Sequence, residues 1–134
     1  MGICKTICLK YFKKQLTFIP LNFLLNTKIM KSITVQELKA WKDENKDFQL
    51  IDVREPYEVE ICNIDGISIP MNEIPSRVDE LVSDKPVVVH CRSGKRSGNV
   101  IEFLEQNHQL ENLYNLEGGI LAWIEEVDSS LEAY

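Results

Sequence analysis

The segment Val87-Val88-Val89-His90 constrains this chain more than any other. A run so short and so rich in β-branched residues reads as a central strand buried on both faces, which needs covering elements above and below it. The surrounding patterns supply them from Met30 onward. Ser32 to Thr34 reads as a short strand. Thr34 and Glu37 form a capping box that opens a helix running to about Asp43, with Val35, Leu38 and Trp41 on one face. Phe48 to Val53 is an apolar strand carrying Asp52 at its end, and Glu55-Pro56 starts a short helical turn. Ile67 to Ile69 is a strand closed by Pro70. Ile74 to Val82 reads as an amphipathic helix with Pro75 in its first turn. Ser97 to Gln106 is a helix, Asn112 to Leu116 a strand and Ile120 to Val127 a last helix, with Trp123 facing in. Strands alternating with helices predict an α/β fold, a central, mostly parallel sheet with helices on both faces.

The 134 residues suit one domain with one core. We place that domain at residues 30–128, followed by a C-terminal tail at 129–134. Residues 1–29 differ in character, with five lysines and no acid. Their apolar stretch from Leu16 to Leu25 resembles a signal peptide or membrane anchor. It is short against the roughly 20 residues a span needs, Pro20 and Asn22 interrupt it, and no small-x-small cleavage site follows. A disordered leader before a start at Met30 is the expectation, with a signal or anchor as the alternative. No membrane contact is expected of residues 30–134.

The net charge of −6 argues against nucleic acid as a partner. Residues 30–134 alone carry ten basic and 21 acidic residues. Three cations crowded into Cys91-Arg92-Ser93-Gly94-Lys95-Arg96 are therefore a local choice. In parallel sheets the ligand site lies beyond the carboxyl ends of the strands. Cys91 stands one residue past the central strand, and Asp52 and Arg54 fall on the same rim.

A loop curling from a strand end into a helix can turn its N–H groups inward as an anion nest, and Gly94 eases the bend. The helix start adds its positive end. A thiolate, the nucleophilic form of cysteine, is favoured by such surroundings. Ionising most of a free cysteine at neutral pH requires about 2.7 kcal/mol of preference for the charged form. One helix terminus supplies about 0.3–1 kcal/mol, so the cations and the nest must supply the rest. The same cradle would shelter a persulfide formed when Cys91 takes sulfane sulfur from a small anion such as thiosulfate. An acceptor would then remove that sulfur, giving covalent catalysis in two displacements.

These motifs resemble the rhodanese family of sulfurtransferases in its single-domain form. The resemblance covers about residues 31–126. It rests first on Val-Val-Val-His followed by Cys91 to Ser97, then on Leu50-Ile51-Asp52-Val53-Arg54-Glu55, and last on Asn115-Leu116-Glu117-Gly118-Gly119 with Trp123. It implies a rhodanese-like fold, Cys91 as persulfide carrier, and Arg92, Ser93, Gly94, Lys95 and Arg96 as substrate contacts. It further implies that Asp52, Arg54 and Ser97 support the loop. A small anionic, thiosulfate-like donor and a thiol or cyanide acceptor are the implied partners, with no metal or organic cofactor. One departure is visible, Cys62-Asn63-Ile64-Asp65-Gly66-Ile67 where the family often has Gly-His-Ile-x-Gly-Ala.

Two other functions fit the same residues. One is a relay protein that passes persulfide sulfur between enzymes, and the other is a binding module that keeps the fold without chemistry. Phosphatase or arsenate reductase chemistry is disfavoured, because such enzymes resemble His-Cys-x5-Arg, a loop one residue longer; here Ser97 stands at that Arg position. Cys4, Cys8, Cys62 and Cys91 match no common zinc spacing. A reactive free thiol predicts a reducing, cytoplasmic compartment. His90, on the buried strand, is expected as a core residue rather than a general base.

Overall fold

The computed structural model describes residues 28–134. The extension read from sequence, with Cys4 and Cys8, lies outside the described residues except for Lys28 and Ile29. The elements run β1 (Ser32–Ile33), α1 (Val35–Asp43), β2 (Gln49–Asp52), α2 (Pro56–Ile61), β3 (Ile67–Ser68), β4 (Val87–His90), α3 (Lys95–His108), β5 (Leu113–Leu116) and α4 (Gly119–Glu126). Two 3-10 segments, Met71–Ser76 and Val78–Glu80, join β3 to β4. The five strands lie in the order β1-β5-β4-β2-β3, and every pairing is parallel.

Local chemistry sets most boundaries. Thr34 Oγ1 accepts from the Glu37 N–H at 3.2 Å, and the Glu37 carboxylate accepts from the Thr34 N–H at 2.9 Å. This reciprocal cap starts α1 at Val35. Pro56 opens α2, where its missing N–H costs nothing. The helix expected from Ile74 to Val82 is absent. Tight three-residue hydrogen bonds, Glu73 N–H to Pro70 O and Arg77 N–H to Ile74 O, replace it. Pro75 explains the difference, since it lacks an N–H and disfavours α geometry at the residue before it.

Side-chain alternation on β4 builds two cores. Val87 and Val89 pack with Ile51, Val100, Ile101 and Leu104 beneath α3. Val88 faces the opposite side with Leu50, Val35, Leu38, Ile120 and Trp123, beneath α1 and α4. Cys91 belongs to the α3 side and Cys62 and Ile64 to the other. Leu131 and Tyr134, within the segment read as a tail, pack against the second core. Among the described residues no helix is long and apolar enough to cross a membrane.

Leu38 is fully buried, whereas Thr34 is a half-exposed cap. Urea unfolding should therefore separate them. Leu38→Ala is expected to cost about 2–5 kcal/mol through transfer and cavity terms, and Thr34→Ala about 1 kcal/mol through the lost cap.

Candidate active site

β4 ends at His90, so the chain leaves the sheet with Cys91 at the mouth between β4 and its neighbours. Helix α3 begins at Lys95, two residues earlier than the sequence suggests. Gly94, with φ of 97°, makes the bend that allows this. Lys95 and Arg96 are thus the first helical residues, at an end where cations are not favoured. The early start brings N–H groups onto the sulfur. Cys91 Sγ accepts from Gly94 N–H at 3.1 Å and from Ser97 N–H at 3.5 Å. Ser97 Oγ lies 3.4 Å from it.

Burial would push the Cys91 thiol up. The Ser97 hydroxyl and the N–H groups of Ser97, Gly94 and Ser93 together outweigh burial and bring it below the ordinary thiol range. The lowering that sequence reasoning divided between cations and nest therefore comes chiefly from the nest and one hydroxyl. Ser97 Oγ is also 2.6 Å from Asn115 Oδ1. The hydroxyl has one proton to give, and both Cys91 Sγ and Asn115 Oδ1 lie within its reach. Asn115 Nδ2 donates to Gly94 O at 3.0 Å, tying β5 to the same loop.

The loop is clamped from behind by α4. The N–H groups of Ile120 and Leu121 donate to the carbonyls of Cys91 and Arg92 at 3.0 and 3.1 Å. Gly119 makes room for this approach, since a Cβ there would stand 2.5 Å from Arg92 O and 2.6 Å from Cys91 O.

The three cations part company. Lys95 is exposed and among the described residues makes no ion pair. Arg96 forms a fork with Glu58, both bonds 2.7 Å long. Arg92 donates from Nε to the main-chain oxygen of Tyr134 at 2.7 Å. Asp52 and Arg54 form a fully buried pair, with Nη2 to Oδ2 at 2.7 Å. Arg54 also donates to the carbonyls of Glu58 and Cys62, at 3.2 and 2.8 Å, and to the Tyr134 hydroxyl at 2.8 Å. Among the described residues no hydrogen bond joins Asp52 or Arg54 to residues 91–97. Their link to the loop runs through Glu58 and Tyr134.

Glu58 and Tyr134 escaped the sequence analysis. Glu58 sits three residues after the cap residue Glu55 and accepts its N–H at 2.9 Å, so in sequence it reads as a helix cap alone. Tyr134 is 80 residues from Arg54 and offers no local signal. His90 alternates with Cys91 across the strand and points to the other face. Its Nε2 lies 3.5 Å from Asp52 Oδ2, and burial holds its imidazole down at about 4.

The donors converging on Cys91 Sγ can hold it as a thiolate. The site and fold together define a thiol-centred anion cradle at the carboxyl edge of a parallel α/β sheet. The rhodanese-like domain matches residues 34–126, and the chain belongs to that family. It is 36% identical over 118 residues to YqhL of Bacillus subtilis, covering 87% of this chain and 90% of that one. It is 35% identical over 96 residues to a sulfurtransferase of Allochromatium vinosum, covering 71% of this chain and 89% of that one. A crystal structure of a rhodanese-like domain protein from Staphylococcus aureus matches it with a TM-score of 0.66. The two are 37% identical, over 78% of this chain and 99% of that one.

Two tests follow from the geometry. Gly119→Ala should push the Cys91 loop outward, because the obstructing atoms are backbone rather than flexible side chains. A fall in thermal midpoint of about 4–8 °C for each kcal/mol lost should accompany slower alkylation of Cys91 by iodoacetamide at neutral pH.

The second test is pH. The unfolded chain takes up the His90 proton near pH 6.5, whereas the folded chain waits until about 4. Stability is therefore lost as pH falls through that window. Glu58 is held down at about 2, first by its Arg96 fork, against an ordinary 4.5, so its contribution disappears between those values. Urea midpoints should decline steadily below pH 6.5, and His90→Leu should flatten only the upper limb.

Proposed function

We propose that this chain is a sulfurtransferase that moves a sulfane sulfur from thiosulfate or a similar donor to a thiol or cyanide through a Cys91 persulfide. The observation that carries this reading is the set of donors converging on Cys91 Sγ from Gly94 and Ser97. Such a set favours the thiolate before the reaction and an outer sulfur anion after it.

In the first displacement the Cys91 thiolate attacks the outer sulfur of thiosulfate. The S–S bond of the donor breaks, sulfite leaves with the electron pair, and Cys91 carries a persulfide. In the second, the acceptor attacks the outer persulfide sulfur and Cys91 leaves as thiolate. No net oxidation occurs, so no redox cofactor is needed. Ser93, Gly94 and Ser97 supply N–H groups around the sulfur. Lys95 is the exposed cation that draws the donor in, while Arg96, neutralised in part by Glu58, holds the rim of the cradle. Asp52 and Arg54 support the loop from below through Glu58. Cys62 and Cys91 are both free thiols, which suits a reducing compartment such as the cytoplasm.

Intact-mass measurement after thiosulfate should show a gain of one sulfur, about 32 Da, as expected of a covalent intermediate. Cyanide should remove it, and Cys91→Ala should never acquire it. An equal gain in the variant would move the nucleophile elsewhere.

A further inference from the structure

Arg96 stands one residue before Ser97, whose N–H and hydroxyl both face Cys91 Sγ. Its guanidinium is held charged first by Glu58, against burial, and the Cys91 sulfur adds to the same effect. A planar fork so placed matches an oxyanion group on an incoming sulfur donor. Glu58 already fills that fork, since Arg96 Nη1 and Nη2 both donate to its carboxylate at 2.7 Å. The carboxylate cannot swing aside. It is buried, and it also accepts the Glu55 N–H at 2.9 Å on one oxygen and the Tyr134 hydroxyl at 3.0 Å on the other.

The pair straddles the protein surface. The Arg96 side chain is 31% exposed and that of Glu58 only 4%. Solvent and substrate therefore meet the guanidinium, while the carboxylate that cancels it lies beneath. An anion that pulled Arg96 away would strand a buried charge, which is strongly unfavourable. Of the other loop cations, Arg92 is bonded to the main-chain oxygen of Tyr134. Lys95 and the inward N–H groups can answer one negative charge on a sulfur donor. A second charge would need the fork that Glu58 occupies.

We propose that Glu58 is a specificity-determining residue that withholds Arg96 from the sulfur donor and turns the site toward sulfane donors carrying a single negative charge. The proposal rests on the sulfur-transfer reading above and narrows its donor class. A thiosulfonate anion illustrates the chemistry. The Cys91 thiolate forms a bond to the outer sulfur, the S–S bond of the donor breaks, and the sulfinate leaves with the electron pair. One negative charge enters with the donor and one departs with the leaving group, and no oxidant is consumed.

The test compares thiosulfate with methanethiosulfonate, which shares the outer sulfur and the sulfonyl centre but has one charge fewer. Each kcat/KM is measured on the full chain with cyanide as acceptor. In Glu58→Gln the thiosulfate-to-methanethiosulfonate ratio should rise about fivefold, which converts to ~1 kcal/mol. The ratio of Cys91 alkylation rates by iodoacetate and by iodoacetamide should rise with it. Both ratios cancel changes in thiolate fraction and in access, so a purely structural role for Glu58 would leave them unmoved. Unchanged ratios would overturn the proposal. The double variant Glu58→Gln, Arg96→Gln removes the charge pair together and should keep the parental ratios; it carries the test if Glu58→Gln does not fold. A fivefold fall in the double variant would overturn the proposal, because Arg96 would then have served the dianion despite Glu58. Failure of the parent chain to load sulfur from either donor would overturn the sulfur-transfer reading, and the alkylation ratio would still decide whether Glu58 masks Arg96.

Discussion

A guanidinium without exposed surface must hand every donor to the protein, and Arg54 does so. Asp52 takes two of its nitrogens, and the Glu58 and Cys62 carbonyls and the Tyr134 hydroxyl take the remaining bonds. Truncating one member of such a pair strands the other charge and typically costs about 3–5 kcal/mol. The geometry is correspondingly rigid. Arg54 joins the end of β2, the middle and the C-terminal cap of α2 and residue 134, and so helps fix where the Glu58 carboxylate stands. Glu58 in turn holds Arg96 at the start of α3. The position of the helix that presents N–H groups to Cys91 is thus tied to a buried ion pair on the other face of the sheet.

The sulfur itself is managed mainly by main-chain dipoles. Burial opposes its ionisation, and the N–H groups of Ser93, Gly94 and Ser97 with the Ser97 hydroxyl overcome that opposition. Formal charges play a more distant part, because two of the three loop cations are already engaged by Glu58 and Tyr134. Such a division suits the proposed passage of Cys91 through thiol, thiolate and persulfide. Fixed dipoles need no rearrangement as the charge moves outward by one atom, whereas unpaired arginines at the rim would hold an anionic product in place.

Much of the architecture was legible beforehand because its causes are local. The capping box at Thr34 and Glu37, the proline opening α2 and the apolar run of β4 each depend on neighbours in sequence. The one misjudged element, residues 74–82, failed for a local reason as well: an apolar spacing was weighed above the backbone restrictions of Pro75. The start of α3 moved from Ser97 to Lys95 because N–H groups there find an acceptor in Cys91 Sγ, which propensity does not register.

The sequence alone determined the α/β architecture, the rhodanese-like pattern and the placing of Cys91 beyond the central strand, since periodicity, capping and loop length act over a few residues. Tertiary structure alone decided which loop cations remain free, what neutralises Arg96 and why Gly119 has no side chain. Those outcomes depend on contacts such as Glu58 with Arg96, Ile120 with Cys91 and Tyr134 with Arg92. The partners in each come from different elements and meet only once the sheet has brought its carboxyl edge together.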